Sequence, residues 1–266
     1  MSFTLVSAQN GVKYMRSDII PVRHGFATRV GGVSHEPHTA SLNLAFRRGD
    51  DEQTVIENLR LFSEAVGVCA ESVVSRHQIH SSRVVYADEK MCGEGYFREC
   101  DEGCDGYVTD RVGVTLGVKT ADCVPILFCD HDAHIIGAVH AGWRGTASGI
   151  AAECVSKMCE LGANVKNIRA AVGAAIHSCC YEVGEDFRES VTALAGEKMA
   201  REFIHERDGG LYADIIGMNR SMLLGAGVHD ENIDISEKCT CCEPSLFYSH
   251  RYSHGVRGTM LSVISL

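Results

Sequence analysis

The feature that most constrains this chain is a pair of short apolar runs, 123–130 and 134–140, split by the polar break Asp130-His131-Asp132-Ala133. Runs of this length bounded by turn residues read as buried strands, and a break this short joins them as an antiparallel hairpin. Residues 112–119 form a third run just upstream. Residues 73–86 are rich in Val and Ile, and 165–171 and 259–264 are weaker candidates. Helical spacing occurs elsewhere. Val55, Ile56, Leu59, Phe62 and Val66 share one face of 51–66, with Asp50 or Asp51 to cap the start and Gly67 just past the end. Residues 146–161 repeat the pattern up to Gly162, and 184–200 and 213–224 are two further amphipathic stretches. Strands and helices alternate only in part, and several strands pair as hairpins. That predicts an α+β fold with mixed sheets. With four prolines and no Pro-, Ser- or Gly-rich linker, one domain is expected over 1–266.

The hairpin also positions chemistry. A turn centred between His131 and Asp132 puts Cys123 opposite His140, and directly opposed side chains have Cβ atoms about 4.5–5.5 Å apart. A thiolate and an imidazole at that distance can share a metal. A third ligand must come from elsewhere, and His80 in Arg76-His77-Gln78-Ile79-His80 is the choice. On a strand, His77 and His80 face opposite ways, so only one can reach the site. Cys239-Thr240-Cys241-Cys242 carries a C-x-x-C spacing that Cys179-Cys180 can complete to four thiolates. Adjacent cysteines make a poor chelating pair, so these residues are read as reduced and metal-free.

Composition narrows the function classes. The chain has 35 acidic against 25 basic residues, a net charge of −10, and no basic run longer than Arg47-Arg48. Neither nucleic acid nor an anionic membrane is an expected partner. The start lacks a signal peptide's charged and apolar regions, and no apolar run reaches the length of a membrane span. A cytoplasmic protein is expected, so its thirteen cysteines should be reduced, and beside thirteen histidines they suggest metal binding. No Walker loop, dinucleotide fingerprint or nucleophile-elbow motif occurs.

Other segments can serve such a site. Gly142-Trp143-Arg144-Gly145 follows His140 and opens a helix, whose first N–H groups together with Arg144 can hold an anion. Lys119 can bring a cation near the metal. Asp122 can orient a ligand or cap a turn. Arg29 and Asn43 flank a glycine-containing loop and, together with Asp122, are candidate substrate contacts.

Taken together, the motifs His24-Gly25-Phe26-Ala27-Thr28-Arg29-Val30-Gly31-Gly32-Val33-Ser34, Ser41-Leu42-Asn43-Leu44, Gln78-Ile79-His80, Thr120-Ala121-Asp122-Cys123, Ala138-Val139-His140-Ala141-Gly142-Trp143-Arg144-Gly145 and Cys179-Cys180-Tyr181-Glu182-Val183-Gly184 resemble the YfiH family, also called the laccase-domain or multicopper polyphenol oxidase family. The resemblance implies a four-layer αββα sandwich, similar to the catalytic domain of cytotoxic necrotizing factor toxins. It implies a zinc site on His80, Cys123 and His140. It also implies a zinc-dependent purine nucleoside phosphorylase with adenosine deaminase activity, whose partners are small molecules, a purine nucleoside and phosphate. Some bacterial members are credited instead with editing peptidoglycan precursors, and older descriptions make the family copper laccases. Copper is the less favoured metal, because the paired His-x-His motifs of an oxygen-reducing copper cluster are missing. The same residues would also suit a non-enzymatic zinc or thiol protein, or a metal-free Cys123 nucleophile with His140 as its base. The chain departs from the family pattern at Ser81, where glycine is usual, over 173–179, and at Tyr248-Ser249-His250-Arg251-Tyr252.

Overall fold

The computed structural model describes residues 3–266. The chain opens with the meander β1 (Phe3–Ser7), β2 (Lys13–Ser17) and β3 (Arg23–Ala27), and a long loop leads to α1 (Glu52–Val66). The local signals at α1 hold: the Asp51 side chain accepts from the Thr54 amide, and Gly67 ends the helix at φ 82°. Six strands follow, β4 (Val73–Val74), β5 (Val84–Tyr86), β6 (Gly106–Thr109), β7 (Thr115–Thr120), β8 (Val124–Asp130) and β9 (Ile135–Ala141). The stretch expected as one helix over 146–161 is two, α2 (Trp143–Ala147) and α3 (Ile150–Glu160), because Gly149 turns the chain at φ 82°. After β10 (Arg169–Val172) and β11 (Glu182–Val183), the stretch 184–200 likewise splits at Gly196 into α4 (Glu185–Ala195) and α5 (Glu197–Phe203). The remaining elements are β12 (Ile204–Arg207), β13 (Gly210–Ala213), α6 (Ile215–Gly225), β14 (Ile233–Ile235) and β15 (Met260–Ser265).

Two six-stranded mixed sheets form the body. Their strand orders are β1-β2-β3-β15-β7-β4 and β14-β10-β8-β9-β6-β5, and β11-β13-β12 makes a small third sheet. Strand alternation builds the layers. In β8, Leu127 and Cys129 join the core shared with Leu116, Val118, Leu261 and Val263 of the first sheet. Ile126 and Phe128 face the other way, onto Ile150, Cys154 and Met158 of α3 and Ile215 and Leu223 of α6. Val55, Leu59 and Phe62 of α1 cover the first sheet's outer side, where Phe62 meets Tyr14 edge-on. The result is the expected α+β sandwich of four layers, helix, sheet, sheet, helix.

Two local expectations need correction. The β8–β9 hairpin forms, but Asp130 pairs with Ile135 and Pro125 with His140. The turn takes the four residues 131–134, with the Asp130 side chain accepting from the Ala133 amide (3.2 Å) and His134 at φ 54°. Cys123 therefore lies one residue before β8 and diagonal to His140, not opposite it. The slide moves both strands by one position, so the two side chains stay on one face and within diagonal reach. His80 is also not on a strand. It lies in the loop between β4 and β5, with its backbone left-handed at φ 57°.

Candidate metal centre and active site

β9 lies between β8 and β6, and both neighbours run antiparallel to it. Both therefore begin where β9 ends. This brings Cys123, before β8, and Asp105, before β6, to His140 near the end of β9. The Asp105 carbonyl accepts from the His140 amide at 2.7 Å, extending the ladder to this point.

Asp105 is completely buried and organises the site. One carboxylate oxygen accepts from His140 Nδ1 (2.9 Å) and the His80 amide (3.0 Å). The other accepts from the amides of Ile79 (3.3 Å) and Ser81 (2.7 Å) and from the Ser81 hydroxyl (2.8 Å). Three successive N–H groups thus wrap one carboxylate, and this holds His80 in its left-handed backbone conformation. Gln78 anchors the same loop to β7, its side chain donating to the Lys119 carbonyl and accepting from the Lys119 amide, both at 2.7 Å. Burial alone would raise the Asp105 pKa, but the bonds from His140 and Ser81 outweigh it and hold the carboxyl below the usual range. A carboxylate can only accept, so Nδ1 of His140 carries a proton. Burial would lower the ring's pKa, but Cys123 and Asp105 outweigh it and raise it to about 9, so Nε2 must release its proton before it can hold a metal.

The nitrogen and sulfur ligand atoms of His80, Cys123 and His140 lie within 4.8 Å of one another. The two imidazoles stand perpendicular, with ring centroids 4.8 Å apart. Burial would raise the Cys123 thiol, but His140 and His80 outweigh it and bring its pKa down to about 6. The thiolate that metal binding requires is thus favoured at neutral pH. A Cβ on Gly142 would lie 2.8 Å from His80, 3.3 Å from His140 and 3.5 Å from the Cys123 sulfur. Glycine at 142 therefore keeps open the space the three ligands share. Two imidazoles, one thiolate and a carboxylate behind one imidazole suit a zinc ion, and three protein ligands leave a fourth position.

The other expected site residues divide. Arg144 is exposed and is the second residue of the five-residue α2, too short to supply much of a helix dipole. Its guanidinium lies 4.3 Å from the Trp143 ring and has no hydrogen-bond partner among the described residues. Asp122, expected as a substrate contact, is buried with its carboxylate engaged elsewhere, accepting from the Thr240 hydroxyl (2.6 Å) and the Arg251 amide (2.7 Å). The remaining three are committed to the scaffold. Arg29 donates to the carbonyls of Ala40 and Pro244 and stacks on Tyr248. Asn43 is fully buried and bonds Ala45, Asp50 and Thr259. The Lys119 ammonium donates to the Ser75 carbonyl at 3.1 Å and lies over Tyr96, and burial lowers its pKa to about 8.

Sequence reasoning missed Asp105, Tyr181 and Arg257. The Tyr181 hydroxyl is kept protonated by burial and by the negative charge of Cys123, and it also feels the charges of Arg251, Asp122 and Arg144. Arg257 is lowered to about 10 by burial and by Arg48, against the opposing pull of Asp122 and Cys123. Its Nε is buried without a hydrogen-bond partner among the described residues. Tyr181 stands in the Cys-Cys-Tyr-Glu motif, which could have pointed to it.

The fold agrees with that of known proteins. A family model described as "Multi-copper polyphenol oxidoreductase laccase" matches residues 23–266, and the chain belongs to that family, the YfiH family of the motifs above. It is 40% identical over 256 residues to a protein named purine nucleoside phosphorylase from Deinococcus radiodurans, covering 96% of this chain and 94% of that one. It is 36% identical over 234 residues to a protein named adenosine deaminase RL5 from an unknown prokaryotic organism, covering 85% and 87%. The crystal structure of Bacillus licheniformis hypothetical protein YfiH superposes with a TM-score of 0.89 at 33% identity, covering 98% of both chains.

Proposed function

We propose that the protein is a zinc-dependent enzyme acting on purine nucleosides, a phosphorylase that also deaminates adenosine. The observation that carries the reading is the three-ligand centre with its fourth side kept clear by Gly142 and its His140 ligand held by buried Asp105. The names of the related phosphorylase and deaminase support the substrate class. His80, Cys123 and His140 would hold the metal, which supplies a Lewis acid at the open side. The chain's own groups supply the rest. Arg144, with free donors, and Arg257, with its unpartnered Nε, offer positive charge to a phosphate. Protonated Tyr181 is available as a hydrogen-bond donor to the purine. In phosphorolysis a phosphate oxygen bonds to the anomeric carbon, the glycosidic bond breaks, and the base leaves with a proton. In deamination, water adds at the carbon bearing the amino group and ammonia departs.

A copper oxidase is a poorer match to these residues. The cluster contributes two histidines, whereas oxygen reduction by a laccase needs a His-rich set. The test incubates zinc-loaded protein with adenosine, with and without phosphate, and separates adenine, inosine and hypoxanthine. Arg144→Ala should depress phosphorolysis at least tenfold more than deamination, because deamination needs no anion. Equal loss of both activities would remove the phosphate role from Arg144. Cleavage of a muramyl-peptide precursor without turnover of any nucleoside would overturn the proposed function.

A further inference from the structure

We propose that Cys179, Cys180, Cys239 and Cys242 form a second metal site, a closed four-thiolate zinc centre that ties two loops together behind the active site. Their four sulfurs lie within 4.8 Å of one another. Three of the separations are 3.7 Å (Cys179–Cys180), 3.6 Å (Cys179–Cys242) and 3.4 Å (Cys180–Cys242). A zinc bound to four sulfurs at about 2.3 Å puts them about 3.8 Å apart, the edge of a tetrahedron of that size. A disulfide needs about 2.05 Å between sulfurs. Four sulfurs in mutual contact therefore match a tetrahedral centre better than any pair of crosslinks.

Adjacent cysteines chelate poorly in most backbones, but the local geometry here removes the objection. The amides of Cys180 and Tyr181 both donate to the His177 carbonyl at 3.0 Å, and this tight turn presents the Cys179 and Cys180 sulfurs toward the same point. On the other loop, the Cys239 sulfur accepts from the His177 amide at 3.4 Å. An amide directed at the first sulfur of a C-x-x-C turn supplies a hydrogen bond that a metal-bound thiolate needs. Two guanidinium groups lie nearby, Arg207 donating to the Cys179 carbonyl and Arg251 to the Cys180 carbonyl, each at 3.0 Å. They offset the two net negative charges of four thiolates around a divalent ion.

The position suggests what the centre does. Cys239 bridges to Ala175, and the Thr240 amide donates to the Ala175 carbonyl at 3.0 Å. These same loops hold Asp122, through the Thr240 hydroxyl, the Ile176 amide and the Arg251 amide. Asp122 precedes the ligand Cys123. With four protein ligands the second centre has no open position, so its role is structural. This inference does not depend on which reaction the first centre performs.

The experiment counts zinc in protein purified under reducing conditions with zinc present. Wild type should hold two zinc atoms per chain. Cys239→Ser/Cys242→Ser should hold one, and so should His80→Ala/His140→Ala. X-ray absorption at the zinc edge of His80→Ala/His140→Ala should show an all-sulfur shell, a readout that does not depend on the cysteine variant folding. One zinc per chain in wild type, lost in His80→Ala/His140→Ala, would overturn the second site. So would a native Cys180–Cys242 disulfide found by thiol titration, or nitrogen ligands in the absorption spectrum of the histidine variant.

Discussion

Replacing Asp105 by asparagine isolates the group on which the first centre depends. The amide matches the carboxylate in shape, but one of its two positions becomes a donor. Placed at the Ile79 and Ser81 side, the NH2 group would face two amides and a hydroxyl. Placed at the His80 and His140 side, it would face one amide and one imidazole. The second arrangement is less costly, yet it leaves the part-buried His80 N–H facing a donor, at up to about 1 kcal/mol. It also makes His140 accept at Nδ1. The ring proton then sits on Nε2, where the metal must bind. Changing the partner behind a metal-bound histidine typically weakens affinity about 10- to 100-fold. Asp105→Asn should therefore lose both stability in urea and one zinc atom per chain, measured by elemental analysis after dialysis against a weak chelator. An asparagine variant with wild-type zinc affinity would refute the claim that Asp105 sets the His140 tautomer, whatever happened to its stability.

Other outcomes follow from particular contacts. Gly142→Ala puts a Cβ 2.8 Å from His80 and should reduce bound zinc and turnover more than tenfold with the fold intact by circular dichroism; unchanged zinc content would count against the shared space at Gly142. His24 is buried, its Nδ1 donating to the Val22 carbonyl and its Nε2 accepting from the Ser17 amide, and burial lowers its pKa below 6.5. Below pH 6.5 the unfolded chain binds the proton first, so this histidine's stabilising contribution is complete above that pH and falls as the pH drops towards the folded-state pKa. Urea unfolding of His24→Asn should show a shallower loss of stability between pH 7.5 and 5.5 than wild type; parallel curves would contradict it.

How much can be read from the sequence depends on whether the determinant is local. Helix α1 is legible to its caps, because Asp51, the apolar face and Gly67 all act within a turn or two. The hairpin is legible, but its register is not, because the Asp130 side chain closes a four-residue turn that apolar patterning cannot anticipate. Cys123 and His140 survive the error only because the slide preserves their common face. Flanking Val and Ile suggest a strand at His80, yet its backbone is set by a carboxylate 25 residues away. That carboxylate, Asp105, precedes a glycine and resembles a turn residue in sequence. Lys119, Arg29 and Asn43 stand out in sequence as polar groups near motifs, but partners such as Ser75 for Lys119, Pro244 for Arg29 and Thr259 for Asn43 are distant in sequence and cannot be read from the residues themselves.

One topological fact gathers the functional residues. At one end of the second sheet, β9, β10 and β14 finish while β6 and β8 begin, since β10 and β9 are both antiparallel to β8, and β14 is parallel to β10. Asp105 and Cys123 enter there, and His140 and Gly142 leave. The loops carrying Cys179 to Tyr181 and Cys239 to Arg257 also start from that end. The opposite end holds the β8–β9 turn, where His131 and His134 have ring centroids 6.0 Å apart. If convergence at one end makes the metal chemistry, a histidine pair at the other should have no part in it. His131→Ala/His134→Ala should keep the wild-type number of zinc atoms per chain and the wild-type ratio of phosphorolysis to deamination. Loss of a zinc atom in that variant, with the circular dichroism spectrum unchanged, would mean that metal binding does not follow the strand topology.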